Sequence, residues 1–332
     1  MVAAWILFGL PIDEMTQFPP KRGFKFHPNV IVQVALTSEM GYDGESGLPK
    51  SLPLTDPRNS DWLHRLSSWS AAADRVYIWQ YTYHGRYTFT PLPNYFLVAE
   101  DLATLSSLGV KGWFAESVCC HPREEMVELK VYLWGRLAFD PTLNATELTL
   151  GFLEGYYSAA AAPHVMRYLQ LMDSSLRLRG GSRPGMPRSW PHNNATKRNE
   201  DLWAWGPYSA MFDNNTVLES RAALGDAAAA VESDPKLSFR VAQALTAVQF
   251  VALYRWQELH AYAALSKTPW PFAATIAGEF DLFAAALNRS GNGGTAVTST
   301  NAALAPNGSR NAGGAVTVGE LREQVLAHAL AL

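Results

Sequence analysis

Cysteine is nearly missing from this chain of 332 residues: there are two, Cys119 and Cys120, side by side. Neighbouring cysteines cannot tie distant segments together, so a disulfide framework is excluded, and their spacing fits no zinc site. They read as packing or loop residues. Charge is scarce too, at 17% of residues, with 27 Lys and Arg against 30 Asp and Glu for a net −3. That balance argues against bulk electrostatic binding to nucleic acid or to an anionic membrane surface. Long apolar runs are also missing. The longest, the opening MVAAWILFGLPI, falls short of the roughly 20 residues a membrane helix needs, so no membrane span is expected. It carries neither a basic leader region nor a small-residue cleavage site, and it reads as a buried strand rather than a signal peptide. A chain that opens directly on core sequence leads us to expect something ahead of it. There is no G-x-S-x-G elbow, no phosphate loop and no convincing metal-ligand spacing, so no metal and no cofactor are called for.

What is present is apolar and aromatic. Hydrophobic residues make up 48% and aromatics 12%, including 11 Trp. A chain of this length and composition can bury one large core or two smaller ones, which excludes disorder as its main state. Tryptophan at this frequency serves either as core or as the lining of a site that stacks on flat apolar faces such as sugar rings.

Residues 1–140 alternate between β-rich apolar runs and helical patterns, the signature of a parallel sheet with helices outside it. The runs are AWILFGL (4–10), NVIVQVAL (29–36), RVYIWQY (75–81) and VKGWFAES (110–117). All are nearly continuous, as strands covered on both faces should be. Trp62, Leu66 and Trp69 predict one face of a helix over 59–73. Val98, Leu102 and Leu105 predict another over 96–108, stopped by Gly109. Met126, Leu129, Leu133, Trp134 and Leu137 predict a third over 123–138, ended at Asp140-Pro141. The first crossover, 11–28, with Pro19-Pro20, is too irregular for a full helix.

Beyond 141 strand signals stop and helices follow one another. Asn144 and Glu147 form a capping-box pattern before Leu148, Phe152 and Tyr156. Pro163 opens a helix, and Ser233-Asp234-Pro235 opens a long one whose stripe runs from Leu237 to Trp256. The polar Gly/Pro/Asn-rich stretch 180–201 reads as a disordered insertion on the surface. Residues 288–318 read as a flexible linker to a short terminal helix within 319–332. Five Asn-x-Ser/Thr sequons, at Asn144, Asn194, Asn214, Asn288 and Asn307, read either as a sign of a secretory route or as chance in a chain rich in Ser, Thr and Asn, and localisation stays open.

In parallel α/β proteins ligands sit at the carboxyl ends of the strands. That rule selects Asp13 and Glu14 after the first run, Glu39 and Asp43 after the second, and Glu116 at the end of the fourth. Two carboxylates facing each other across such a mouth can protonate a leaving oxygen and activate water or stabilise an oxocarbenium ion, as most glycosidases do. Glu39 and Glu116 are the candidate catalytic pair. Trp79, Gln80, Tyr81, Tyr83, His84 and Trp113, on or just after strands, are the candidate sugar-binding wall.

The blocks FKFHPNVIVQ (24–33), LPLTDPRNSDWLHRLSSWSAAADRVYIWQY (52–81), PLPNYFLVAEDLATLSSLGVKGWFAES (91–117) and ELKVYLWGRLAFDPTLNATELTLGFLEGYY (128–157) resemble a domain-of-unknown-function family found in large, mainly bacterial proteins. Its members commonly carry an α-glucuronidase-like N-terminal domain and are grouped with the TIM-barrel glycoside hydrolases. The block at 218–245 resembles the family's helical tail, so the likeness covers about residues 1–265. It implies a TIM-type barrel whose second half is present here, a helical domain after it, and a role in cleaving or binding polysaccharide. Glu116 matches a Glu of the family pattern with Ala115 inserted before it. The strand that usually reads Trp-Asp-Tyr reads Trp79-Gln80-Tyr81, replacing a possible acid by a neutral amide.

The expectation is thus an α/β protein: a partial, half TIM-type barrel over 1–140, then an all-helical domain over 141–287. A half barrel exposes two strand edges and an apolar face, so self-association or a covering partner is also expected. The expected function is glycoside-hydrolase-like action on poly- or oligosaccharide. Two other readings stand beside it, a non-catalytic carbohydrate-binding or structural relative and a helical protein-interaction module.

Overall fold

The β-branched and aromatic runs of the sequence form strands, as their fit to a pleated, buried surface favours. The computed structural model describes residues 3–6, 23–36, 53–82, 89–116, 125–179, 207–288 and 318–331. Among them β1 (Ala3–Ile6), β2 (Val30–Leu36), β3 (Val76–Tyr81) and β4 (Gly112–Glu116) form one parallel sheet in the order β1-β2-β3-β4. Every pairing is parallel, with Val34 opposite Ile78 and Trp79 opposite Phe114. The order never reverses, so each crossover steps the same way. Right-handed crossovers of one direction place their helices on one side of the sheet.

The buried core beneath the sheet reflects this. Val32 and Val34 of β2 and Val76 and Ile78 of β3 pack with Trp62, Leu66 and Trp69 of α1 (Ser60–Ala72) and with Leu105 of α2 (Tyr95–Ser107). These are the alternate residues of each strand, so one sheet face carries the helices. The two helices fall where their stripes predict. The second ends through Gly109 at φ +80°, a left-handed position that glycine takes without strain. A buried carboxylate, Asp101 of α2, accepts the Leu54 amide at 2.7 Å and holds the segment before α1 against the core.

The remaining helices are α3 (Val127–Phe139), α4 (Ala145–Tyr157), α5 (Ala162–Arg179), α6 (Asn214–Ala230), α7 (Pro235–Tyr254), α8 (Trp256–Ser266), α9 (Ile276–Asn288) and α10 (Val318–Ala331). Asp234 caps α7 by accepting the Lys236 and Leu237 amides, with Pro235 in the first turn. The stripe expected to run unbroken to Trp256 stops at Tyr254. Arg255 leaves helical geometry at φ −110°, and its buried guanidinium bonds the Phe212 carbonyl, Asn214 and Glu258. The helix gives way there to a hub that satisfies a buried charge.

Two compact units emerge from the chain. One holds Met1–Tyr83, Asn94–Cys119 and Lys130–Ala145, and contains the sheet. The other holds His84–Pro93, Cys120–Leu129 and Thr146–Leu332, and is helical in its described residues. In the helical unit α7 is central: Phe250, Leu253 and Tyr254 pack with Phe89, Phe280, Phe283, Leu321 and Val325. By length and composition α7 could cross a membrane; here its apolar side chains from Ala244 to Tyr254 are buried within the unit. The expected insertion at 180–201 and nearly all of the expected linker lie outside the described residues.

Candidate functional site

Opposite the helices, the other sheet face is lined by the intervening strand residues. Tyr77 and Phe114 are 37% and 48% exposed there, and Ile31, Gln33 and Trp79 are half-buried. The Tyr77 ring lies against β4 at Gly112, so close that a Cβ on Gly112 would sit 2.7 Å from it. Only glycine leaves room for that ring. One step further, Trp79 meets Phe114 edge to face, with centroids 4.9 Å apart. One step beyond that, the register pairs Tyr81 with Glu116 at the carboxyl ends of both strands. A strand rises about 3.3 Å per residue, so position 116 lies roughly 7 Å past Phe114 along β4. Aromatic groups thus form a row on the face opposite the helices, and the row runs toward an acidic position at the end where α/β proteins bind ligands.

The candidate wall divides at this point. Strand neighbours point to opposite faces, and Gln80 and Trp113 belong to the helix-covered one. Gln80 is 2% exposed, and its Oε1 accepts the Trp113 indole N–H at 2.8 Å. Trp113 packs edge to face on Trp134 of α3 at 6.1 Å. The neutral amide of Trp79-Gln80-Tyr81 is therefore a structural group beneath the sheet. Glu39, Tyr83, His84, Asp13, Glu14, Asp43 and the Cys119-Cys120 pair lie outside the described residues. Among the described residues no group of three or more His, Cys, Asp or Glu could hold a metal ion.

A second feature, in the helical unit, escaped sequence reasoning. Glu125, Glu128, Tyr156, Tyr157, Arg240 and Gln243 line a small polar cleft. The Arg240 guanidinium covers the Tyr156 ring at 4.0 Å and donates to the Tyr156 carbonyl at 2.6 Å. Tyr168 donates to the buried Glu125 at 2.9 Å. Burial, then the nearby Glu128 charge, pushes the Tyr157 hydroxyl well above its ordinary range, so it stays a hydrogen-bond donor. The cleft has about 40 Å³ of room for water, enough for about three molecules. The groups come from three distant segments, 125–128, 156–157 and 240–246. Only the acid-rich stretch Glu124-Glu125-Met126-Val127-Glu128 could have flagged them.

These features define an α/β protein with a singly wound parallel sheet, one face on helices and the other lined by aromatics. Residues 14–170, which include β2 to β4 and their crossover helices, match the family model described as Domain of unknown function (DUF4838). No curated protein and no solved structure matches the chain.

Proposed function

We propose that the sheet face opposite the helices is the sugar-binding wall of a glycoside-hydrolase-like protein acting on poly- or oligosaccharide. The aromatic row Tyr77, Trp79 and Phe114, leading to Glu116, is the observation that carries this reading. On it, the four strands are consecutive βα units of a TIM-type barrel, whose aromatic-lined face is the inward one. Pyranose rings stack on the aromatics, with Tyr81, Tyr83 and His84 extending the wall at its carboxyl end. Glu116 supplies one carboxyl group, as acid or nucleophile, and Glu39, following β2, supplies the other. Since Gln80 sits under the sheet, the Trp-Gln-Tyr sequence costs this face no acid.

A second reading, carbohydrate binding without turnover, draws on the same face, since the Trp79–Phe114 pair can stack on sugar rings with no carboxylate. Aryl-glycoside hydrolysis by purified protein separates the two. Turnover that vanishes in Glu116→Gln supports catalysis. Oligosaccharide binding that persists in Glu116→Gln and vanishes in Trp79→Ala, with no turnover by either protein, supports binding alone. Loss of neither property in either variant sinks both.

A further inference from the structure

Two of the five sequons lie in described segments with their side chains placed, and the fold treats them oppositely. Asn144 is exposed, as is Thr146, the hydroxyl residue of its sequon. They follow a surface turn in which Asp140 Oδ1 accepts the Thr142 amide at 3.0 Å and its hydroxyl at 2.6 Å. That turn hands the chain into α4, and an adduct on the residue before the helix points no bulk into a core.

Asn214 heads α6 and is half-buried. Its Oδ1 accepts from the buried Arg255 guanidinium at 2.5 Å. The same guanidinium donates to Glu258 Oε1 at 2.6 Å, so Asn214 sits beside that ion pair. Thr216, the third residue of this sequon, is 7% exposed, and its hydroxyl bonds Asp213, the cap of α6. The amide that would carry a glycan is held by its oxygen at the edge of the Arg255–Glu258 hub. Attachment there would force a sugar into the space beside those two paired side chains.

We propose that Asn144 is an N-glycosylation site of the folded protein and that Asn214 is a sequon kept bare by the fold. In the reaction the Asn144 Nδ2 bonds to the anomeric carbon of a polyprenyl-pyrophosphate oligosaccharide. The bond from that carbon to the pyrophosphate oxygen breaks, lipid pyrophosphate leaves with the electron pair, and the amide gives up one proton to the transferase's base.

The test is to express the chain behind a secretion leader in a eukaryotic host and recover the soluble, folded fraction. Its glycans are then released with peptide N-glycosidase in heavy-oxygen water, and each sequon is read by peptide mass spectrometry. Heavy-oxygen Asp at 144 and unlabelled Asn at 214 is the expected result. Label at 214 in folded protein, or none at 144, overturns the proposal. Thr146→Ala, which destroys the sequon but keeps Asn144, should lose one mobility step on translation into microsomes. Retention of that step also overturns it.

Discussion

Trp79 and Trp113 come from adjacent strands, yet their truncation should fail in opposite ways. Trp113→Ala removes an indole packed on Trp134 and takes the donor from Gln80 Oε1, a side chain that is 2% exposed. Truncating a packed Trp costs about 3 kcal/mol or more, and loss of a buried amide's partner adds to that. Trp79→Ala, on the opposite face, gives up its edge contact with Phe114, worth about 1 kcal/mol beyond the area the half-buried ring covers, and leaves the buried Gln80 amide its indole donor. Urea denaturation followed by circular dichroism should therefore show a large fall in midpoint for Trp113→Ala and a small one for Trp79→Ala. Calorimetric titration with oligosaccharide should show the reverse order: binding lost in Trp79→Ala and kept in Trp113→Phe, which preserves most of the packing. Equal destabilisation by the two alanine variants would mean that the faces have been assigned wrongly. Lost sugar binding in Trp113→Phe with intact binding in Trp79→Ala would move the wall to the other side of the sheet.

Glu279, fully buried, accepts Gln249 and the Ala273 amide at 2.8 Å each and lies 3.6 Å from Arg221. Glu279→Leu should cost about 4 kcal/mol in urea unfolding by stranding the Arg221 charge, and adding Arg221→Leu should restore much of it; additive losses would contradict that pairing. Burial pushes the Tyr208 hydroxyl from 10.0 to about 12, so the unfolded chain loses its proton first. Its contribution is complete below pH 10 and should fade between about pH 10 and 12, a slope that Tyr208→Phe should reduce in melts across that range. Asp234→Ala should lower stability by about 1 kcal/mol, since two amides at the start of α7 lose their acceptor; no change in the melting temperature would refute the cap. Gly112→Ala should disturb the Tyr77 ring that lies against it, visible as a changed near-ultraviolet dichroism, with an unaltered spectrum counting against that contact.

Much of the fold was legible because its signals are local. The β-branched runs gave β2 to β4, Trp62, Leu66 and Trp69 gave α1, and Asp234-Pro235 gave the start of α7. What stayed hidden depends on contacts distant in sequence. Continuous apolar strands carry no alternation, so nothing in Trp79-Gln80-Tyr81 told which side chain faces the helices until the register with β4 and the bond to Trp113 were known. The stop at Arg255 was equally invisible, because the groups that draw the arginine inward include the Phe212 carbonyl and Asn214, from another helix start. The rim of acids was readable as a rule about strand ends. Of its proposed carboxylate pair, only the backbone of Glu116 falls within the described residues.

The central claim is that the aromatic face and Glu116 form one sugar site. A crystal structure of the protein with a bound oligosaccharide tests it most directly. The account predicts a pyranose ring stacked on Trp79, with a glycosidic oxygen within about 3 Å of the Glu116 carboxyl group. Sugar bound elsewhere, or Glu116 walled off from that face by packed protein, would contradict it.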